Sequence, residues 1–274
     1  MPNKEPEQDA GRGKDGTQAI TRALDILTLL AMGHAPKWGL KISEISTYLG
    51  MSRPTVHRIL NTLTERGFAQ KIEKSGRYVI GTQVPLLALA RERKLPLLQL
   101  AEPYLQEVSR IVHDTVFFSM RSERDVLTIA RVMGDFPIQV LSIDVGDRRP
   151  LGAITSGVAI LTQFDDAQST QMVEQDELRL AAFNYTVPDV LAFVRESRER
   201  GFAYRQKGLI PGTKAIAIPV GGPNDPVMAA VTVSGMAKRM TEANVKEIID
   251  DVRAECNALA LRLHQKLGSN ISTI

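Results

Sequence analysis

Residues 52–81 read SRPTVHRILNTLTERGFAQKIEKSGRYVIG, and the spacing of apolar residues changes once along this stretch. Val56, Ile59, Leu60 and Leu63 recur at three- and four-residue intervals, which predicts one buried face of a helix. Ser52 stands where a hydroxyl caps the first turn, Pro54 falls where a missing N–H costs nothing, and Gly67 follows the last turn. Beyond Gly67 the period shortens to two. FAQKIEKSGRYVIG reads as two short strands joined by a turn at Lys74, Ser75 and Gly76.

Upstream, LKISEISTYLG predicts a short helix capped at Ser43, with Ile45 and Leu49 inward and a stop at Gly50. It follows the Pro- and Gly-containing turn HAPKWG. TQAITRALDILTLLAM places Ile20, Leu24, Leu27 and Leu30 at helical spacing, with Thr17 as a cap. Three helices followed by a hairpin make a winged helix-turn-helix over residues 17–81. The polar run before it, residues 1–16, has no apolar core and is expected to be a disordered tail rather than a secretory signal.

In such a domain the third helix enters the major groove with its N-terminal end. Ser52, Arg53, Thr55, His57, Arg58 and Asn61 lie on or near the face opposite the apolar one. Arg can pair two hydrogen bonds with guanine, and Thr offers a hydroxyl or a methyl. On the wing, Lys71, Lys74 and Arg77 would meet the phosphate backbone, adding affinity and salt dependence more than sequence choice. An ordinary amphipathic helix has the same pattern, and the hairpin directly after it favours the DNA-binding reading.

Charge supports that assignment. The 274 residues carry a formal net charge of +3, but residues 17–94 hold 12 Lys and Arg against 5 Asp and Glu. That local +7 is offset by −1 in the tail and −3 from Leu95 onward. A basic domain joined to a mildly acidic one fits contact of the first alone with a polyanion. The length suits two domains. The longest weakly polar stretch, Val227 to Ala237, is far short of the roughly 20 residues that span a bilayer. A cytoplasmic protein without membrane contact is therefore expected. The single cysteine, Cys256, forms no internal disulfide. It shares a helical face with Val245, Ile248, Ile249, Val252, Leu259 and Leu263, so core packing is its expected task.

After the hairpin, residues 82–95 predict a linker helix with Leu86, Leu87 and Leu89 before the charged RERK, ended near Pro96. In residues 96–274, TVFFSMR, DVLTIARV, IQVLSI, KAIAIPV and VMAAVTVS read as strands. PDVLAFVRESRERG and the C-terminal segment read as helices.

The chain resembles the IclR family of bacterial regulators. The resemblance rests on ITRALDILTLL, ISEISTYLG, SRPTVHRILNTLTERGF and the wing ending GRYVIG, and continues through DRRPLGAITSGVAIL, RERGFAYRQKGLIPGTKAIAIPV and AAVTVSG. It covers roughly Thr17 to Leu267. It implies an α+β protein, with a GAF-like α/β effector-binding domain of a central antiparallel sheet flanked by helices. It further implies a small-molecule effector held near Thr155, Ser156, Arg205, Ala215, Thr232 and Ser234. Two positions depart from the family pattern: Ala215 stands where many relatives have cysteine, and Arg205 where many have an acidic residue. An arginine there would favour a carboxylate through paired hydrogen bonds. Taken singly, Ala215 and Thr232 could equally be core strand residues, and Ser156 a helix-start residue.

The expected function is that of a transcriptional regulator binding palindromic operator DNA as a homodimer or dimer of dimers, under control of an organic-acid effector. The alternative is a ligand-binding signalling module without specific DNA recognition. Catalysis is not expected, since the four histidines are scattered and no H-E-x-x-H, Walker loop, C-x-x-C or G-x-S-x-G occurs. No metal or cofactor is expected. Gly11, Gly13 and Gly16 spell G-x-G-x-x-G, but without a preceding strand or the βαβ context of a dinucleotide site. Two glycosylation sequons, at Asn184 and Asn270, have no bearing in a cytosolic setting.

Overall fold

The computed structural model describes residues 12–31, 38–94, 96–205, 210–225 and 227–271, which form two compact units dividing after Lys94. No helix among them is long and apolar enough to cross a membrane.

The first unit contains α1 (Arg12–Ala31), α2 (Ile42–Leu49), α3 (Arg53–Glu65), β1 (Ala69–Ile72), β2 (Arg77–Ile80) and α4 (Gln83–Lys94). Val56, Ile59, Leu60 and Leu63 of α3 are all buried, packed with Ile45, Leu40 and Tyr78. The Ser52 hydroxyl accepts the Thr55 N–H at 3.4 Å, Pro54 sits in the first turn and Gly67 has φ of +72°. β1 and β2 pair antiparallel from Ala69↔Ile80 to Ile72↔Arg77, and Leu40 bridges to Tyr78 as a short third strand.

Three expectations change here. Helix α1 begins at Arg12, so residues 12–16 are helical and Thr17 lies inside the helix rather than capping it; residues 1–11 fall outside the described residues. The inward face of α1 carries Ile26 and Leu30, with Ala23, Leu27 and Leu29 beside them, whereas Ile20 and Leu24 are exposed. Both faces have helical spacing, and only packing against α3 and β2 selects between them. Helix α2 starts before Ser43: the Lys41 N–H donates to the Glu44 carboxylate at 2.6 Å, replacing a hydroxyl cap. Of the HAPKWG turn, residues 34–37 lie outside the described residues. Leu86, Leu87 and Leu89 of α4 are exposed, and Pro96 stands at the N-terminal boundary of the next helix.

The second unit runs through α5 (Leu97–Val112), β3 (Thr115–Ser122), β4 (Asp125–Val132), β5 (Arg148–Pro150), a 3-10 turn (Leu151–Ala153), α6 (Thr155–Leu161), α7 (Asp166–Glu174), α8 (Glu177–Ala181), α9 (Val187–Arg200), β6 (Ala203–Arg205), β7 (Thr213–Val220), β8 (Ala229–Met236) and α10 (Glu242–Ile271). Six strands form one antiparallel sheet in the order β5-β4-β3-β8-β7-β6. Alternation along each strand divides its faces. Val116 and Phe118, Ile216 and Ile218, and Val231 and Val233 point to a core shared with α5 and α10. That core takes in Cys256, whose thiol burial pushes up to about 12, the value of an inert packing residue. The opposite face, with Ala203, Ala217 and Ala230, packs on α6 and α9.

IQVLSI, expected as a strand, forms an irregular segment across the sheet. β4 pairs with β3 along one edge and with β5 over Asp125–Leu127 on the other, and IQVLSI joins neither ladder. Gln139 anchors it instead. Its carbonyl accepts the Thr115 hydroxyl at 2.8 Å, and its amide donates to the carbonyls of His113 and Phe136. The Arg131 guanidinium holds the Ile143 carbonyl and the Asp144 carboxylate from below.

Two predictions follow from these contacts. A Cβ on Gly157 would stand 1.9 Å from the Leu151 carbonyl oxygen, so Gly157→Ala is expected to lower stability by about 2 kcal/mol or more in thermal or urea denaturation. In the first unit, Arg77 donates to both Glu44 oxygens at 3.0 and 3.3 Å and to the Gly39 carbonyl at 2.8 Å. The Lys41 N–H, then the Arg77 charge, hold the Glu44 carboxyl below its ordinary range. Its stabilisation is therefore present above about pH 4.5 and is lost as pH falls through the lowered value. Glu44→Gln should lower melting at pH 7 and flatten the acid limb of the stability curve, and an unchanged acid limb would contradict this assignment.

Candidate functional site

On the first unit, Arg53, His57, Arg58 and Asn61 stand exposed along α3, and Thr55 is half-buried at its start. Ser52 and Thr55 bond each other, hydroxyl to hydroxyl at 2.8 Å, and serve the cap as well as the surface. Lys71 on β1 and Lys74 at the turn are exposed. Among the described residues none of Arg53, Arg58, Lys71 or Lys74 has a carboxylate partner. Arg77, grouped with them by sequence, is placed differently: its guanidinium ties β2 to α2 through Glu44. The structure thus separates a set of unengaged cations on α3 and the wing from one that holds the wing in place.

On the second unit a pocket opens between the sheet and the segment leading into α6, with about 470 Å³ of empty space counted out to its mouth. Thr155, Ser156, Arg205, Ala215, Thr232 and Ser234 all line it. Strand register explains why residues distant in sequence meet here. Arg205 pairs with Ala215, and Ala215 with Ser234, in one row across β6, β7 and β8. Thr232 lies in the next row between Ala217 and Phe117. With strands about 4.8 Å apart, the short Ala215 side chain leaves a gap between Arg205 and Ser234.

The sequence reading missed Phe117 and Ser119 on β3, Ser142 and Ile143 on the irregular segment, and Ala153 and Ile154 before α6. The β3 residues share the parity of Thr115 and were findable by alternation. Ser142 and Ile143 lay within the supposed strand, and nothing in the local pattern placed them over the sheet.

Arg205 is 8% exposed. Its Nη1 donates to the Ala153 carbonyl at 3.2 Å and to the Tyr185 hydroxyl, and its Nη2 to the Gly152 carbonyl at 3.3 Å. The rings of Tyr185 and Phe193 lie 4.4 and 5.1 Å from Cζ. No carboxylate among the described residues pairs with it. Burial, opposed by Tyr185, lowers its pKa. Among the described residues Arg205 Nε and Thr232 Oγ1 are buried without a hydrogen-bond partner, which is a costly state. No group of three or more His, Cys, Asp or Glu among the described residues could hold a metal.

Comparison with known proteins bears on both units. The IclR helix-turn-helix domain matches residues 19–73, and the C-terminal domain of the bacterial transcriptional regulator IclR matches residues 90–261. The HTH-type transcriptional regulator BhcR of Paracoccus denitrificans is 30% identical over 241 residues, covering 86% of this chain and 84% of that protein. The transcriptional repressor IclR of Escherichia coli is 23% identical, covering 84% of each. Among solved structures, an IclR-type regulator from Silicibacter sp. TM1040 superposes with a TM-score of 0.76 at 24% identity, over 89% of this chain and 96% of its own. An IclR homologue from Microbacterium hydrocarbonoxydans in complex with 4-hydroxybenzoate gives 0.68 at 20% identity, over 88% and 98%. With exposed arginines on α3 of one unit and a pocket in the other, this chain belongs to the IclR family of bacterial transcriptional regulators, helix-turn-helix proteins that bind DNA under control of a small-molecule effector and are not enzymes.

Proposed function

We propose that this regulator is a cytoplasmic homodimer, or dimer of dimers, that binds palindromic operator DNA through α3 and the wing and answers to a small organic acid. The observation that carries the effector assignment is Arg205, a cation enclosed beside the pocket with no carboxylate partner among the described residues and an unpartnered Nε. An acid would supply the missing charge through a charge-assisted hydrogen bond. The 4-hydroxybenzoate in the Microbacterium homologue is an acid of suitable size. On the DNA side, Arg53, Thr55, His57, Arg58 and Asn61 face the base edges, with Ser52 at the helix start. Lys71 and Lys74 neutralise phosphates. Arg77 supports the wing from behind. Two copies related by a two-fold axis would place their α3 helices in successive major grooves about 34–36 Å apart. Effector binding would change that spacing through α4, and a coupling of about 1–3 kcal/mol is enough to alter occupancy by roughly 5- to 150-fold.

Gel-shift titrations on the DNA upstream of the gene, at two salt concentrations, test the DNA side. Arg58→Ala is expected to cost about 1–3 kcal/mol on that DNA and little on a scrambled duplex. Equal weakening on both would remove it from base recognition. Lys74→Ala should weaken both duplexes alike and reduce the salt slope by about 1. For the effector, Arg205→Ala is expected to abolish the response of the DNA complex to any acid that alters it in wild type; a retained response would place the acid elsewhere.

A further inference from the structure

A guanidinium has five N–H donors in a rigid plane. In Arg205 both Nη1 hydrogens are taken, by the Ala153 carbonyl and the Tyr185 hydroxyl, and one Nη2 hydrogen by the Gly152 carbonyl. Nε has no acceptor. Among the described residues Nε–H and the second Nη2 hydrogen therefore have no acceptor, which is capacity for one carboxylate held at two points. Rotation of the head group toward another geometry is opposed by the rings of Tyr185 and Phe193 stacked against it. Neither ring lines the pocket, and Phe193 belongs to α9, outside the sheet.

The rest of the pocket is neutral. Past Ala215 lie the hydroxyls of Thr232 and Ser234, with Phe117, Ile143 and Ile154 as apolar walls, and among the described residues the lining holds no second cation. A second carboxylate on the ligand would be desolvated there without a counter-charge, which strongly disfavours binding.

Resting on the assignment of this pocket as the effector site, we propose that Tyr185 and Phe193 are positioning residues that lock Arg205 edge-on and thereby restrict the effector to a monocarboxylate. The single carboxylate sits on Nε and Nη2, and the neutral remainder lies over Ala215 and reaches Thr232. Selectivity for charge thus comes from two aromatic residues that do not line the pocket. They act by spending three of the five donors of Arg205 and fixing the plane of the other two.

Calorimetric titration of the full-length protein tests this with matched probes: lactate, lactamide and malate, and benzoate, benzamide and isophthalate. Wild type is expected to bind at least one monocarboxylate about tenfold or more tighter than its amide and its dicarboxylate. Tyr185→Phe keeps the ring and removes the hydroxyl acceptor, and Phe193→Leu removes the second ring. Each is expected to cut the acid-to-amide ratio several-fold with the melting temperature little changed, and Arg205→Gln to bring the ratio near one. Ala215→Leu, which fills the pocket floor, should abolish binding of all probes. If an acid binds, is blocked by Ala215→Leu, and keeps its ratio in Tyr185→Phe, the proposal fails while the pocket assignment stands. Dicarboxylate binding equal to monocarboxylate has the same meaning. Acid binding indifferent to Ala215→Leu removes the pocket assignment and the proposal together, and binding of no monocarboxylate by folded protein also overturns the proposal. Tyr185→Phe decides the question alone if Phe193→Leu does not fold.

Discussion

The effector-binding unit depends on a division of side-chain size across one sheet. Strands β3, β7 and β8 send Val116, Phe118, Ile216, Ile218, Val231 and Val233 to one face and Ala217, Ala230, Thr232, Ser234 and Ala215 to the other. The large residues make a dense core with α5 and α10. The small ones let α6 pack on that face, while Gly157 has no room for a side chain against the Leu151 carbonyl, nor Gly152 against Val190. Where that approach stops short of the sheet, between Arg205 and Ser234, the pocket is what remains. A one-residue slip in β7 or β8 would send Ile216 and Val233 into it and Ala215 into the core. Register therefore governs both stability and the site.

Within that pocket the electrostatics are set by one buried guanidinium. Backbone carbonyls and aromatic faces solvate Arg205 partially, since carbonyl dipoles and ring quadrupoles favour a cation without neutralising it. Under the proposed function an anion would complete this environment, and its binding would then add to the stability of the unit. The DNA-binding unit shows the complementary arrangement. There Glu44 neutralises Arg77, which braces the wing, and among the described residues the exposed cations of α3 and the turn have no internal carboxylate to compete with a phosphate.

What could be read from sequence followed from local rules that tertiary structure had no reason to override. Helix α3 carries its own cap, its proline and an unambiguous apolar face, and the hairpin after it carries its turn. Strands β3, β4, β7 and β8 are runs of β-branched and apolar residues long enough to identify. The six positions taken from the family pattern line one pocket. Short elements were not legible: β5 and β6 have three residues each, too few for a period to register. Helix α1 offered two apolar faces of similar quality, and only its neighbours choose Ile26 and Leu30 over Ile20 and Leu24. IQVLSI has strand composition, but Gln139 within it is tied to the carbonyls of His113 and Phe136 and the segment joins no ladder.

By itself the sequence determined the order of the longer strands and of the first unit's elements, the basic character of that unit and the residue types available to bind DNA and a ligand, because capping, periodicity and charge act over a few residues. Tertiary structure decided which of those residues are free to act. It assigned Arg77 to the scaffold, drew Ser142 and Ile143 over the sheet, and set Tyr185 and Phe193 against Arg205. The physical reason is that hydrogen-bond satisfaction and aromatic stacking around a buried charge depend on groups brought together across 12 to 53 positions of chain, such as Arg205 with Gly152 and Arg131 with Ile143, a separation over which no local pattern carries information.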